Sequence, residues 1–578
     1  MKATKRRREY TRQFYDKNKI MFAATLISNI CMAFFSLIIS WLIQQILDAA
    51  TGNSMESLWR TALIGGISTV LFALNFLLCR EVKSRFQQRA MRQYKAYAFE
   101  KLTRKSIGSF SKENTASYIS ALTNDAASVE TNYLMPTFTL AEMSITFIGA
   151  LIMMVYYSPV LTAIAIGLSL LPVVVSILTG GRLAKQEQVI SEKNETFVAM
   201  VKDLLSGFSV IKSFKAEAQI QRLFDRKNEE TEAAKCERHR TEQLINMFAS
   251  VAGVIAQMGV FWFGAWLAVT DGSITPGVVI VFVQLMNYVL NPIGQIPLLL
   301  ANRKAAIGLI DKLAAMVEEN VRSDGEMIEP VLKQGITVEN LRFGYEEGNP
   351  VLDGVNLTLE AGKSYAIVGE SGSGKSTLLN LLMGSCETYE GEIRFDSKEL
   401  RQIHSDSLYE LMTLVQQNVF VFNDTIRRNV TMFRDFDDGK VADAIRRSGL
   451  ASLIAERGED YVCGENGSGL SGGEKQRISI ARALLQGAPV MLIDEATAAL
   501  DAATAFEVTK SILDIEGLTR IVVTHRLEEA LLRRYDQILV LKGGIVCEQG
   551  SFVELMERQG LFYSLFCVAQ EPAPLKKS

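Results

Sequence analysis

At 578 residues the chain is too long for one hydrophobic core, so two or more domains are expected. Its net charge of −3 argues against nucleic acid as a partner. Seven scattered cysteines with no CxxC pair offer neither a disulfide framework nor a zinc site, and read as small apolar residues in a reducing setting. The averages of 48% apolar and 22% charged residues hide a split. Before about residue 300 the apolar residues come in long uncharged blocks, and after about residue 335 the chain reads as a soluble α/β protein.

The chain opens on a basic stretch, MKATKRRREY, with the character of a signal-peptide start. The apolar run behind it is far longer than the about 7–15 residues of a cleavable core, so it is expected to anchor the chain. YTRQFYDKNK reads as a short interfacial helix, and residues 1–19 as cytosolic. Six apolar segments then stand out, at Ile20–Ile46, Thr61–Cys79, Pro136–Tyr157, Pro159–Thr179, Met247–Val269 and Ile274–Leu300. At about 1.5 Å per residue, even Thr61–Cys79 reaches about 29 Å, a hydrocarbon thickness. One such segment could be a buried soluble helix; six in half a chain predict a transmembrane domain over residues 20–303.

Basic residues give the orientation. Lys5, Arg6, Arg7 and Arg8 precede the first span; Arg80, Lys83, Arg85, Arg89 and Arg92 follow the second; Arg182 and Lys185 follow the fourth; Arg303 and Lys304 follow the sixth. The loops DAATGNSMES, YYSP and TDGSITP hold neither Lys nor Arg. The positive-inside rule therefore places both termini in the cytosol, in a cytoplasmic membrane. The connections at 80–135 and 180–246 are long, charged and poor in Pro and Gly, as expected of helices that continue as rods below the bilayer. Bends are expected near ENTASYISALTND and LLSGFSVIKSF. Glu142 is the one carboxylate well inside a span, suited either to a cationic group or to a neighbouring helix.

A linker at 304–335 leads to the second domain, 336–570, and a tail at 571–578. SYAIV at 364–368 is a short apolar strand, and TLLNLLMG an apolar helix. Between them Gly369, Gly374, Lys375 and Ser376 fill the pattern G-x-x-x-x-G-K-[ST]. Glycines let a backbone wrap phosphates, with N–H groups and a helix N-terminus supplying positive potential. The cradle comprises Gly369, Glu370, Ser371, Gly372, Ser373, Gly374, Lys375, Ser376 and Thr377, with Lys375 for the β/γ-phosphates and the Ser376 hydroxyl for Mg²⁺. VMLIDEATAALD, at 490–501, is a buried strand ending in two carboxylates. Asp494 suits Mg²⁺ and Glu495 can polarise an attacking water; the alternative is that either one merely caps the next helix.

As an ordered set these motifs resemble an ATP-binding cassette exporter half-transporter, a six-helix membrane domain fused ahead of its ATPase domain. The likeness covers nearly the whole chain. It implies that Tyr345, in FGYEEG, stacks on adenine. It makes Gln417, in TLVQQNVFVFNDTIRRNV, the sensor of γ-phosphate and Mg²⁺, and His525 the switch histidine. Asp501 matches the D-loop aspartate, and CGENG around Glu465 the exporter-specific loop that meets the cytoplasmic helices. Leu470, Ser471, Gly472, Gly473 and Glu474 resemble the family signature, which serves the ATP of the partner subunit from a helix N-terminus. One chain thus holds two half-sites and must pair. A homodimer is favoured because every motif is intact, and a heterodimer with a second half-transporter stays open.

Glu474 stands where many relatives have Gln, and Ala498 where Ser is common; neither change removes a catalytic atom. A leader-cleaving peptidase domain is not expected. The resemblance implies an ATP hydrolase driving export by alternating access, with drug-like amphiphile, lipid and peptide all open as cargo. An ATP-gated channel or regulatory membrane protein is the other class, disfavoured by an intact Glu495 and signature. The six spans exclude a soluble repair ATPase, and the fused order disfavours an importer. The orientation has a direct check. In a background lacking the native cysteines, Asn53→Cys and Gly272→Cys should react with an impermeant thiol reagent outside intact cells, and Lys112→Cys should not. Labelling of Lys112→Cys in sealed cells would overturn the orientation.

Overall fold

The computed structural model describes residues 2–111, 114–270, 274–318, 325–346, 348–386, 388–497 and 499–570. Lys112, Gly272, Ala498, the tail at 571–578 and the middle of the expected linker, 319–324, lie outside the described residues. The chain divides into two compact units, Met1–Leu102 with Thr115–Val317, and Thr103–Asn114 with Glu318–Ser578.

The first unit is helical. α1 spans Lys2–Arg12, α2 Lys19–Thr51 and α3 Met55–Thr103; the short α4, Ile107–Ser111, belongs to the second unit. The long helices α5 (Pro136–Tyr157), α6 (Pro159–Ser206), α7 (Glu217–Thr270) and α8 (Pro276–Glu318) follow, so each of the six apolar segments falls on its own helix. Among the described residues five stretches are long and apolar enough to cross a membrane, and the remaining one, in α6, is apolar over Pro159–Leu171. At about 1.5 Å per residue the 49 residues of α3 reach about 73 Å. That is more than twice a hydrocarbon core, so the helix runs on as a rod.

Burial follows the solvent each face meets. The apolar window of α3 has no buried residue, leaving Leu63, Ile67, Leu71 and Leu74 exposed. In lipid this costs nothing, because acyl chains are as apolar as leucine. α8 instead turns Val281, Phe282, Leu285 and Met286 fully inward, while Pro292 and Pro297 each remove a backbone donor within it.

Several boundaries differ from the sequence reading. The stretch 10–19 is the end of α1 followed by a turn at 13–18, not a helix of its own. Nor does α1 turn its apolar side to lipid: Tyr10 and Phe14 are fully buried, with Phe14 stacked on Tyr94 of α3 at 5.0 Å. α8 continues to Glu318, so the first half of the expected linker is helix. The second bend falls where expected, between Ser206 and Glu217. Ahead of the first expected bend, α3 already ends at Thr103, and the chain is helical from Thr115, with π-helical turns at Ala121–Asp125 and Glu130–Leu134.

The second unit is built on two sheets. β1 (Gly335–Phe343), β2 (Leu352–Glu360), β4 (Glu390–Phe395) and β5 (Lys398–Glu399) form an antiparallel sheet in the order β2-β1-β4-β5. The other sheet runs β10-β9-β3-β8-β7-β6. Its β3 (Ser364–Gly369), β6 (Met412–Val415), β7 (Val490–Asp494), β8 (Thr519–Val523) and β9 (Gln537–Lys542) are parallel, and β10 (Ile545–Gly550) is antiparallel to β9. Parallel strands covered on both faces read as unbroken apolar runs. Alternate residues feed two cores: Tyr365, Ile367, Leu492 and Ile521 enter one, while Ala366, Val368, Met491 and Val522 enter the other. The catalytic candidates follow the C-terminal ends of these strands.

Candidate active site

β3 runs through the loop at 370–374 into α9 (Lys375–Leu382). Two positions in this turn admit only glycine. Gly369 has φ +154°, and a Cβ there would lie 2.2 Å from the Leu541 carbonyl oxygen. Gly374 has φ +99°, and a Cβ would lie 2.6 Å from Leu352. The cradle's polar groups fit an anion. Among the described residues Ser373 Oγ is buried without a partner, and Lys375 Nζ donates to two loop carbonyls, Gly369 O at 3.0 Å and Glu370 O at 2.8 Å. Burial pushes the Lys375 ammonium below the ordinary lysine value, against the pull of Glu495 and Asp494.

The neighbouring strands supply the rest. Ser376 Oγ donates to Asp494 Oδ1 at 3.0 Å, at the end of β7. Burial raises the Asp494 carboxyl above its usual range, and the Ser376 hydrogen bond opposes the rise. Glu495 takes φ +50°, an uncommon backbone for a side-chain-bearing residue. Its Oε1 lies 2.7 Å from His525 Nε2, and its Oε2 accepts Gln417 Nε2 at 2.9 Å. These three side chains line one cavity of about 510 Å³ with Val351, Ser371, Gly372, Gly374, Lys375, Ser376 and Thr377. Neither Asp494 nor Glu495 caps the next helix, because α11 (Ala502–Leu513) is capped by Asp501, whose side chain accepts Thr504 N–H. That backbone hydrogen bond holds the Asp501 carboxyl below the usual range.

Other residues of the sequence set lie elsewhere. Tyr345 is largely exposed, its ring edge-on to Phe343 at 5.0 Å and its hydroxyl 3.4 Å from Thr377 Oγ1. It borders a separate cavity of about 800 Å³. Leu470–Glu474 do not line the phosphate cavity of their own chain. They open α10 (Gly472–Gln486) with a capping box: Ser471 Oγ accepts Glu474 N–H at 3.3 Å, and Glu474 Oε2 accepts Ser471 N–H at 2.6 Å. Space behind the cap is tight, since a Cβ on Gly473 would meet Ala499 O at 3.1 Å. Glu465 starts a single 3₁₀ turn, Glu465–Gly467, tied to α10 by Lys475 Nζ donating to Asn466 O at 2.8 Å.

Sequence reasoning passed over one group, Arg482 on α10. Its Nη1 donates to Phe420 O at 2.7 Å, Nε to Asn429 O at 2.6 Å and Nη2 to Asn429 Oδ1 at 2.8 Å. Asn429, fully buried, in turn bonds both the N–H and the carbonyl of Phe422. Burial pushes the guanidinium down to about 10. The segment after Gln417 is thereby fastened to the helix that begins at Ser471. The available signal was a cation within ISIARALL, flanked by the buried Ala481 and Ala483.

The model of the ABC transporter transmembrane region matches residues 20–293, and the ABC transporter model matches residues 352–498. An uncharacterized ABC transporter ATP-binding protein of Bacillus subtilis, YfiC, is 30% identical over 472 residues, covering 79% of this chain and 76% of its own. The chain belongs to the ABC transporter family. An ATP-dependent lipid A-core flippase of Syntrophus aciditrophicus is 29% identical over 494 residues, 83% of this chain and 80% of that protein. A bacterial Atm1-family ABC exporter with ATP bound has the same fold, with TM-score 0.83, 23% identity, and coverage of 96% and 99%. The chain is an ABC half-transporter of the exporter layout, an ATP-hydrolysing transporter that works as a dimer in a membrane.

In this half-transporter, Arg482→Met should remove a donor from the Phe420 carbonyl and from both oxygens of the fully buried Asn429. At about 1–3 kcal/mol for each unsatisfied group, the midpoint of thermal unfolding should fall by several degrees. Differential scanning of the purified protein reads this directly. A wild-type midpoint would show that the clamp carries no stability.

Proposed function

We propose that this half-transporter exports an amphiphilic cargo by alternating access, as a homodimer whose ATP sites lie between two copies. The observation that carries the reading is the meeting of Lys375, Gln417, Glu495 and His525 in one cavity from which Leu470–Glu474 are excluded. A cradle with base and sensors but no second anion site is half a site. By two-fold pairing, the Ser471 end of the partner's α10 completes it.

Each group has a role set by its position. The loop N–H groups and Lys375 hold phosphate oxygens, which replace the carbonyls that Lys375 now contacts. Exposed Tyr345 offers a ring face to the adenine. Ser376 and Asp494, hydrogen-bonded to one another, with Gln417 nearby, are the groups to hold Mg²⁺, which would neutralise charge on the β/γ-phosphates. Glu495 accepts hydrogen bonds and so can polarise a water, while His525 fixes its orientation from one side and Gln417 from the other. ATP clamped between two copies favours the closed pair, and hydrolysis removes the clamp. The long helices α3, α6, α7 and α8 transmit that shift to the membrane. Among the open cargoes, the lipid A-core flippase relative favours a lipid-like amphiphile.

Glu495→Gln keeps size and hydrogen bonding but removes the base. ATP binding should persist while turnover falls by about 10²–10⁴-fold. Wild-type turnover in this variant would remove Glu495 from the reaction. The dimer has its own test, in which Lys375→Ala and Ser471→Arg each inactivate a homodimer. Mixed in equal amounts they leave one site per mixed pair with both faces intact, so partial ATPase should return. No ATPase from the folded wild type alone, with activity gained only by adding another half-transporter, would establish a heterodimer instead.

A further inference from the structure

The basic residues of α1 sort onto two sides of the helix. Arg7 faces inward with Tyr10 and is bidentate to Asp311, Nε to Oδ1 at 2.9 Å and Nη2 to Oδ2 at 2.5 Å. Lys5, Arg8 and Arg12 fall on the opposite side at helical spacing, and all three are exposed. None of them has an ion-pair partner among the described residues. With Glu9, Thr11 and Tyr15 they line a shallow concavity of about 660 Å³. Three cations against the single carboxylate of Glu9 leave this face positive. The turn at 13–18 joins it directly to α2, the first membrane helix, whose Ile20 is 82% exposed at the membrane end.

A surface helix usually meets a membrane by sinking its apolar face among acyl chains. Here that face is unavailable, since Tyr10 and Phe14 are buried within the helical unit. What α1 presents outward is charge. We propose that the outer face of α1 is a binding surface for anionic phospholipid head groups, with the phosphate oxygens on Lys5, Arg8 and Arg12. The charge complementarity and the tether to the first span select a lipid over a soluble anion, because the tether holds the cations close to the bilayer surface. The proposal rests on the membrane placement of the helical unit alone, and needs neither the export direction nor the dimer.

The test uses the full chain in detergent micelles, titrated with phosphatidylglycerol or phosphatidylcholine, with bound lipid counted by native mass spectrometry. Wild type should bind phosphatidylglycerol at least about tenfold more tightly, since three cations near an anionic head group can supply up to about a hundredfold. The Lys5→Gln, Arg8→Gln, Arg12→Gln triple variant should lose that preference while binding phosphatidylcholine as wild type does. Arg8→Lys with Arg12→Lys should keep it. If the triple variant does not fold, Arg8→Gln and Arg12→Gln singly should each weaken phosphatidylglycerol binding about fivefold. Millimolar inorganic phosphate should not compete. A preference that survives neutralisation, equal binding of the two lipids by wild type, or displacement by free phosphate overturns the proposal.

Discussion

Strand direction is the constraint on which the nucleotide site depends. In a parallel sheet every strand ends at the same edge, so the residues just past β3, β6, β7 and β8 are delivered to one place. The register is tight: Ile367 pairs with Val523, Val415 with Ile493, and Asp494 with Val523. Gly369 ends β3, Gln417 follows β6 by two residues, Glu495 follows β7 by one, and His525 follows β8 by two. A slip of one residue in β7 would exchange Leu492 with Ile493 between the two cores and draw Asp494 into the sheet. Apolar packing on both faces therefore sets the position of the carboxylates.

That edge brings together groups that satisfy one another. Glu495 sits between His525 and Gln417, Asp494 holds the Ser376 hydroxyl, and Lys375 is folded back on its own loop. The buried Ser373 hydroxyl is the exception, a donor and acceptor without a partner among the described residues, in a loop whose Gly369 and Gly374 approach Leu541 and Leu352 too closely for a side chain. The same reasoning explains why Glu474 can stand where many relatives have Gln. Its carboxylate accepts the Ser471 N–H as the reciprocal half of a capping box, a role that Glu and Gln both fill.

What could be read from the sequence depended on whether a local pattern carried the information. The turn from β3 into α9 was legible because Gly369, Gly374, Lys375 and Ser376 keep a fixed spacing within one short stretch of sequence. The apolar helices were legible because apolar length is itself the signal, and five of the described stretches are long and apolar enough to cross a membrane. The orientation of α1 was not, since whether Tyr10 and Phe14 face lipid or protein depends on Phe86, Tyr94 and Tyr133, which are distant in sequence. Helix through 304–318 was hidden by its charges, although Ile310, Leu313 and Ala314 are buried. Arg482 was missed because its partners, Phe420 and Asn429, offer mainly backbone oxygens, which no residue pattern advertises.

α10 draws these pieces into one frame. Its first turn carries Ser471 and Glu474, its middle holds Phe420 and Asn429 through Arg482, and its last residue, Gln486, donates to Tyr409 O at 2.8 Å. Tyr409 in turn accepts the Ile107 N–H at 3.1 Å through its hydroxyl. Ile107 lies in α4, the short helix between α3 and the chain leading to α5, and its neighbour Gly108 is so close to the Ser385 backbone that a Cβ would lie 2.0 Å from that carbonyl oxygen. Fifteen residues of helix span about 22 Å without a glycine between Gly473 and the C-cap Gly487. An element this stiff holds its attachments at fixed spacing, so the Ser471 turn, the segment after Gln417 and the Tyr409 ring that meets α4 belong to one frame. Contact, hydrogen bond and rigid helix thus join the turn at Ser471 to α4 within the second unit.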